Sequence, residues 1–506
     1  MFAKVNSCAN IGLNCELVEV EVDQMKTDQP AFVIVGLPDA AVQEAKERVR
    51  LAIKNSGFAT PRYKTIVNLS PADLHKEGPG FDLPMALSIL KATRQLEADF
   101  DDSIFVGELA LNGETRHTNG ILATAIFAKE RGFKNLFIPK INFNEAALIS
   151  GLNIFPVDHL RQVIAHLTGQ EKITPLSASY DRRLISAADD PNIDMAFVQG
   201  QEQAKRALEI CAAGCHNILL SGPPGSGKTL LAKTLPSILP AMDEEEIIEV
   251  TKIYSIAGLL PKDNPIIDQR PFRSPHHTSS GVALVGGGKI PKPGEISLAH
   301  RGVLFLDEFP EFPRPVIENL RQPLEDGLIS ISRAQGTLTF PARFTLVASQ
   351  NPCPCGYYSD PEKNCVCSAG QILKYNKKIS GPIIDRIDLH VTVPRVKFEK
   401  LQLASDNERS SVIRERIKQA HLIQQKRFAE LNIKYNAEMR PQEIKKFCCL
   451  DEPSLDLLKQ AVNQMHLSAR SFHRILKISR TIADLDKVEN LTVAHLAEAL
   501  QYRPAT

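Results

Sequence analysis

An α/β fold in three parts is what this sequence predicts, and three observations lead to it. The chain is 506 residues long, and at about 100–200 residues per domain it needs about three cores. Up to about residue 395, short apolar runs alternate with amphipathic helical stretches, the pattern of sheets flanked by helices. Beyond that point apolar residues recur only at three and four spacing, which specifies a helical bundle. Hydrophobic residues at 43% and charged residues at 24% are ordinary for globular proteins and exclude a disordered or fibrous chain. Sixty Lys and Arg against 59 Asp and Glu leave a net charge of +1, so a polyanion would have to be met by a local basic surface. No run approaches the roughly 18 apolar residues of a membrane span, and the N-terminus carries no cleavage pattern. A cytoplasmic protein is expected.

Taken in order, residues 1–168 hold β-rich runs at 17–22, 31–35, 65–69, 104–109 and 135–138, with helical patterns at 39–55 and 83–92. Residues 169–192 are polar, contain Pro175, Asp189, Asp190 and Pro191, and read as a linker. A second α/β unit follows at 193–395, with parallel-type strands at 217–221, 302–306 and 344–348. Residues 396–506 complete the chain with helices at 407–431, 441–447, 454–465, 468–484 and 493–501.

The strand at 217–221 runs into Gly222, Pro223, Pro224, Gly225, Ser226, Gly227, Lys228 and Thr229, followed by a helix. Strand, glycine-rich loop and helix form a phosphate cradle, in which backbone N–H groups curl around phosphate oxygens. Lys228 adds a point charge and the Thr229 hydroxyl is placed to ligate Mg2+. The apolar run 302–306 ends in Asp307 and Glu308; the first suits Mg2+, the second the activation of an attacking water. A phosphate cradle paired with such an acidic strand specifies ATP or GTP hydrolysis. Asn351, emerging from the strand at 344–348, is a candidate γ-phosphate sensor. Arg386 sits among apolar neighbours as either a finger for an adjacent subunit or a structural partner of Asp385 or Asp388. Of Arg470, Arg474 and Arg480, spacing alone does not choose which contacts phosphate.

Cys353, Cys355, Cys365 and Cys367 form two C-x-C pairs in a loop marked by Gly356, Asp360 and Pro361. Four thiolates suffice for a tetrahedral structural Zn2+, and four free thiols are the alternative. The remaining six cysteines read as small apolar residues. Lys289 and Lys292, in the glycine-rich loop 286–294, and Arg333, near the tip of a hairpin at 328–340, are placed to meet a phosphate backbone without reading bases. Solvated loop cations are the competing reading. His276 and His277 receive no chemistry from the sequence.

The order of these parts resembles AAA+ ATPases, and more narrowly the magnesium chelatase-like ComM/YifB family. Val35 to Asp39, Pro271 to His277, Asn351 to Gly356 and Ser380 to Asp388 carry the resemblance. It implies a homo-hexameric ring that uses ATP and Mg2+, with Arg386 as the finger and Arg470 as the second sensor. It places Val198, Gly200 and Gln201 at the adenine pocket. It further implies a helicase that drives branch migration of single-stranded DNA during natural transformation, with single-stranded and branched DNA, and recombination proteins, as partners. Residues 396–506 correspond to the family's helical lid. The N-terminal part resembles the proteolytic domain of Lon around Lys76 to Asp82 and Gly107 to Gly113. Gly80 stands at the serine position and residues 121–125 contain no lysine, so a fold without its protease dyad is expected.

Overall fold

The computed structural model describes residues 2–27, 31–176, 192–261, 263–288, 291–333, 336–358, 360–396, 407–465 and 467–503. Most of the expected linker, at 177–191, lies outside them. The chain divides into two compact units, residues 1–186 with 244–267, and residues 187–243 with 268–506. Among the described residues no helix is long and apolar enough to cross a membrane.

In the first unit, Ala3–Ile11 and Asn14–Met25 form an antiparallel hairpin whose register pairs Ala3 with Val22 and Ile11 with Asn14. Its inward residues Val5, Val18, Val20 and Val22 are fully buried, as alternation requires of a half-buried sheet. Lys64–Ser70 extends that sheet antiparallel to Asn14–Met25, and Phe32–Val35 closes it in parallel. Gly36 leaves the edge strand at φ 99°, where a Cβ would stand 2.2 Å from the Leu69 carbonyl oxygen, so only glycine fits. Asp39 then caps helix Ala40–Asn55 by accepting from the Val42 N–H. Helix Asp82–Ala92 is buried at every residue but Lys91. A second, parallel sheet orders Ser103–Phe105, Asn135–Pro139 and Asn153–Val157, with Phe105, Phe137 and Phe155 stacked at 4.6 and 4.5 Å. The single run read at 104–109 is thus two strands, Ser103–Phe105 and Glu108–Leu109, because the chain turns off the sheet at Val106-Gly107. Helix Glu244–Ala257 belongs to this unit and packs on helix Ile121–Glu130.

The second unit is built on a parallel sheet in the order Phe272–Arg273, Val303–Leu306, Thr345–Gln350, Ile218–Ser221, Leu389–Thr392. Its central strands are uniformly apolar and buried, as a sheet covered on both faces demands. Helix Glu202–Gly214 packs against the sheet and against Ser410–Arg427 and Ala469–Leu485. The C-terminal helices therefore share one apolar core with the sheet: Leu208, Ala212, Leu220, Ile417, Leu476 and Ile482 are in the same buried cluster. Leu328–Arg333 and Gly336–Pro341 form the expected hairpin.

Candidate functional site

The loop after Ile218–Ser221 has the shape its glycines allow. A Cβ on Gly222 would lie 2.1 Å from the Val393 carbonyl oxygen on the neighbouring strand's exit, and Gly225 and Gly227 take φ of 76° and 91°. Helix Lys228–Ile238 begins immediately, so its free N–H groups face the loop. Lys228 is only 9% exposed. Its ammonium donates to the carbonyls of Gly222 at 2.7 Å and Pro223 at 2.9 Å, and to Asn351 Oδ1 at 3.3 Å. Burial lowers its pKa, against the pull of Asp307 and Glu308.

Parallel pairing of Leu306 with Ala348 brings the ends of two strands to this loop. Thr229 Oγ1 donates to Asp307 Oδ2 at 2.9 Å, placing two hard oxygen donors side by side as Mg2+ requires. Ser349 donates to the other Asp307 oxygen and accepts from the Glu308 N–H at 3.3 Å. Glu308 takes a left-handed φ of 52°, which turns its carboxylate away from the strand direction. There it meets His277, whose Nδ1 is 3.5 Å from Glu308 Oε2. Neither Ser349 nor His277 was assigned a role from sequence; the register of the acidic strand with its neighbour is the signal that would have found Ser349.

Gln201, at φ 61°, donates to the carbonyls of Ser226 at 3.3 Å and Pro394 at 2.6 Å. Asn407 holds the same segment by donating to the carbonyls of Ala196 and Val198. Val198, Gly200 and Gln201 thus stand beside the phosphate loop.

Arg386 and Arg470 are elsewhere. The Asn217 amide donates to the Arg386 carbonyl at 3.0 Å, at the N-terminal end of the very strand whose C-terminal end carries the phosphate loop. Arg386 pairs with Glu325, not with Asp385 or Asp388. Those two acids face Arg474, which donates to the Asp385 carbonyl at 2.7 Å and lies 3.8 Å from Asp388. Arg470 is 62% exposed and approaches the same Glu325 at 4.0 Å. Arg480 is buried and bonded to Asp484, which removes it as a phosphate contact. Arg343, Arg386, Arg440, Arg470, Arg474 and Lys477 line one cavity of about 720 Å³, open to an anionic group.

The four sulfurs of Cys353, Cys355, Cys365 and Cys367 lie within 4.8 Å of one another, the one such group among the described residues. Cys353 is 3.3 Å from Cys355 and 3.7 Å from Cys365, and Cys355 is 3.6 Å from Cys365. Backbone N–H groups donate to them, Tyr358 to Cys353 at 3.3 Å and Cys367 to Cys365 at 3.4 Å. The Cys355 thiol is pushed down to about 6, first by the Tyr357 N–H. Of the other cysteines, Cys8, Cys15, Cys211 and Cys448 are buried as expected, whereas Cys449 is exposed.

Lys292 is exposed on a short strand paired with Gly286–Gly287. Lys289 and the Arg333 side chain lie outside the described residues. In the first unit a Cβ on Gly80 would meet Thr118 Cγ2 at 3.3 Å, and the buried Lys76 is bonded to the Pro71 carbonyl.

Three family profiles match the chain: "Subunit ChlI of Mg-chelatase" over residues 18–142, "Magnesium chelatase, subunit ChlI" over 194–401, and "Magnesium chelatase, subunit ChlI C-terminal" over 407–503. Competence protein ComM of Haemophilus influenzae is 45% identical over 99% of this chain and 97% of its own length. YifB of Escherichia coli is 42% identical over 99% of this chain and 96% of its own. The magnesium-chelatase 38 kDa subunit of Cereibacter sphaeroides is 27% identical over 31% of this chain and 51% of its own.

Proposed function

Since the chain belongs to the ComM/YifB family of magnesium chelatase-like AAA+ ATPases, we propose that it is a ring-forming, ATP-driven DNA motor. In this reading it promotes branch migration of incoming single-stranded DNA into homologous duplex, within the cytoplasm and beside recombination proteins. One observation carries it. Arg386 and Arg470 share Glu325 at one end of the sheet, while Lys228, Asp307 and Asn351 gather at the other. A protomer so built offers its arginines to a neighbour's phosphates and takes a neighbour's arginines for its own, which suits a closed homo-hexamer.

The chain's residues divide the work. Backbone N–H groups of 225–229 and the Lys228 ammonium hold the phosphates; Thr229 and Asp307 would hold Mg2+, which supplies charge neutralisation at the phosphate oxygens. Glu308 accepts a proton from the water that attacks the γ-phosphorus, and Asn351 orients that water. Arg386 of the adjacent protomer meets the charge that develops on the transferred group. Lys289, Lys292 and Arg333 are assigned to the DNA backbone, and the cysteine tetrad to structural Zn2+; a tetrahedral site with Zn–S of about 2.3 Å requires sulfurs roughly 3.8 Å apart, close to the observed spacing. The Lon-like unit, with Gly80 in place of a nucleophile, serves assembly or DNA engagement.

The chelatase profiles along the chain favour a second reading, a remodeller acting on a protein partner. ATP hydrolysis measured with and without single-stranded and forked DNA, against a Lys228→Ala control, separates the two. Stimulation by DNA that disappears in the control supports the motor; hydrolysis indifferent to DNA sinks it and favours the remodeller.

A further inference from the structure

The cysteine loop lies against the nucleotide site, and its described residues between Cys353 and Cys367 form no helix or strand. It leaves the sheet through Asn351, the residue that accepts from Lys228. Two residues beyond comes Cys353, fully buried. Gly356 follows at φ 84°, and a Cβ there would stand 2.6 Å from Pro224 Cδ and 3.9 Å from Asn351 Cγ. The loop's backbone is thus laid directly on the second proline of the phosphate cradle. On its far side the Asp360 carboxylate, with no exposed side-chain surface, receives Arg395 at 2.8 Å, and the Arg395 guanidinium sits over the Tyr357 ring at 5.7 Å. Arg395 is the neighbour of Pro394, whose carbonyl accepts from Gln201. One irregular loop therefore touches the phosphate cradle, the sensor asparagine and the strand exit beside the adenine-pocket residues.

A loop of this length without regular structure keeps a single shape only if something offsets its conformational entropy, about 1–2 kcal/mol per residue. The sulfur cluster is what organises it internally: its four cysteines converge, and the N–H groups of Tyr358 and Cys367 point at sulfur. We propose that a Zn2+ ion held by Cys353, Cys355, Cys365 and Cys367 is a positioning element of the nucleotide site, fixing Pro224 and Asn351 through Gly356. The metal does not touch the nucleotide; it sets the shape of the wall that does. The inference rests on the reading of Lys228 and Asn351 as that site.

The test uses the full-length protein and reads metal and nucleotide separately. Zinc released by a thiol-blocking mercurial is counted with a colorimetric chelator, and affinity for a fluorescent ATP analogue is measured by titration. The wild type should hold one Zn2+ per chain. A Cys365→Ser, Cys367→Ser variant should lose it and bind the analogue at least about tenfold more weakly. Gly356→Ala keeps all four ligands while forcing a Cβ against Pro224, so it should retain zinc yet show weakened nucleotide binding. This second variant decides the matter if the double variant fails to fold. Zinc-free protein, or Gly356→Ala, binding nucleotide with wild-type affinity would overturn the proposal, as would a wild type without metal. A zinc-loaded wild type that binds no nucleotide would instead defeat the functional reading beneath it.

Discussion

Lys228 carries its charge where water is nearly absent, and two backbone carbonyls and one amide oxygen take the place of hydration. Phosphate oxygens are a better match for that ammonium than neutral carbonyls, so Lys228→Ala should weaken nucleotide binding by tenfold or more and reduce hydrolysis to background, read by titration and phosphate release. Glu308→Gln should bind nucleotide normally while hydrolysis falls on the order of 10²–10⁴-fold, the range expected for loss of a general base. His277, 3.5 Å from the same carboxylate, restrains it; His277→Ala should alter kcat with little change in nucleotide KM, and an altered KM with constant kcat would count against a positioning role. Lys228, Thr229 and Asp307 were legible because contiguous motifs force their geometry: a strand, a tight loop and a helix start leave one arrangement. Ser349 and His277 were not, because each reaches the site through sheet pairing between segments distant in sequence. The alternative that pairs Arg386 with Asp385 or Asp388 does not hold, for a more local reason. Asp385 and Asp388 flank Arg386 within two residues, but a short helical turn aims them at Arg474 and leaves Arg386 to Glu325.

At the scale of elements, the phosphate loop is fixed by what glycine lacks. Gly222→Ala should cost about 1–3 kcal/mol, since its Cβ meets a backbone carbonyl that has no room to retreat; denaturant unfolding checks it. Helix Glu244–Ala257 is fastened differently. Ser255 on it donates to the Glu145 carboxylate at 2.6 Å and accepts from the Gly120 N–H at 3.0 Å. Glu145 is 1% exposed, and burial pushes its pKa up to about 7, against the hydrogen bonds from Ser255, Asn142 and Leu122. With the folded value above the unfolded one, the folded state holds the extra proton. The stabilisation is full below the unfolded pKa and is lost as pH rises through about 7, an effect on the order of 3 kcal/mol. Thermal unfolding of Glu145→Gln should lack that fall in stability between mildly acidic and neutral pH. The strands and helices read from the sequence rest on alternation and three-and-four spacing, which are local, but strands Ala3–Ile11, Asn153–Val157 and Leu389–Thr392 were not among them. The helix at 244–257 was passed over, and its place in the first unit is invisible to periodicity, which says that a face is apolar but not what covers it.

At the scale of the whole molecule, the proposed function has the arginines and the phosphate loop of one chain serving different sites. Arg386→Ala should leave nucleotide binding intact and slow hydrolysis on the order of 10³-fold. Mixing it with Lys228→Ala should restore part of the activity, because one variant keeps the finger and the other keeps the cradle. No recovery on mixing would assign Arg386 to the packing of its own subunit. Length and pattern predict three parts, whereas the chain divides into two compact units; the union of the C-terminal helices with the sheet in one core depends on residues such as Leu208, Ala212, Ile417 and Ile482 sharing a cluster that no window of sequence contains. The first unit is discontinuous, closed by residues 244–267 borrowed from the middle of the chain. The backbone therefore crosses from one unit to the other three times, near residues 186, 243 and 267. A protease that cuts once in the 169–192 segment severs one of three covalent ties, and the two fragments should remain together on a sizing column until denaturant is added. A chain begun at residue 193 should aggregate, because Ile247, Val250 and Ile253, buried in the intact protein, lie on a helix that would lose the rest of its unit.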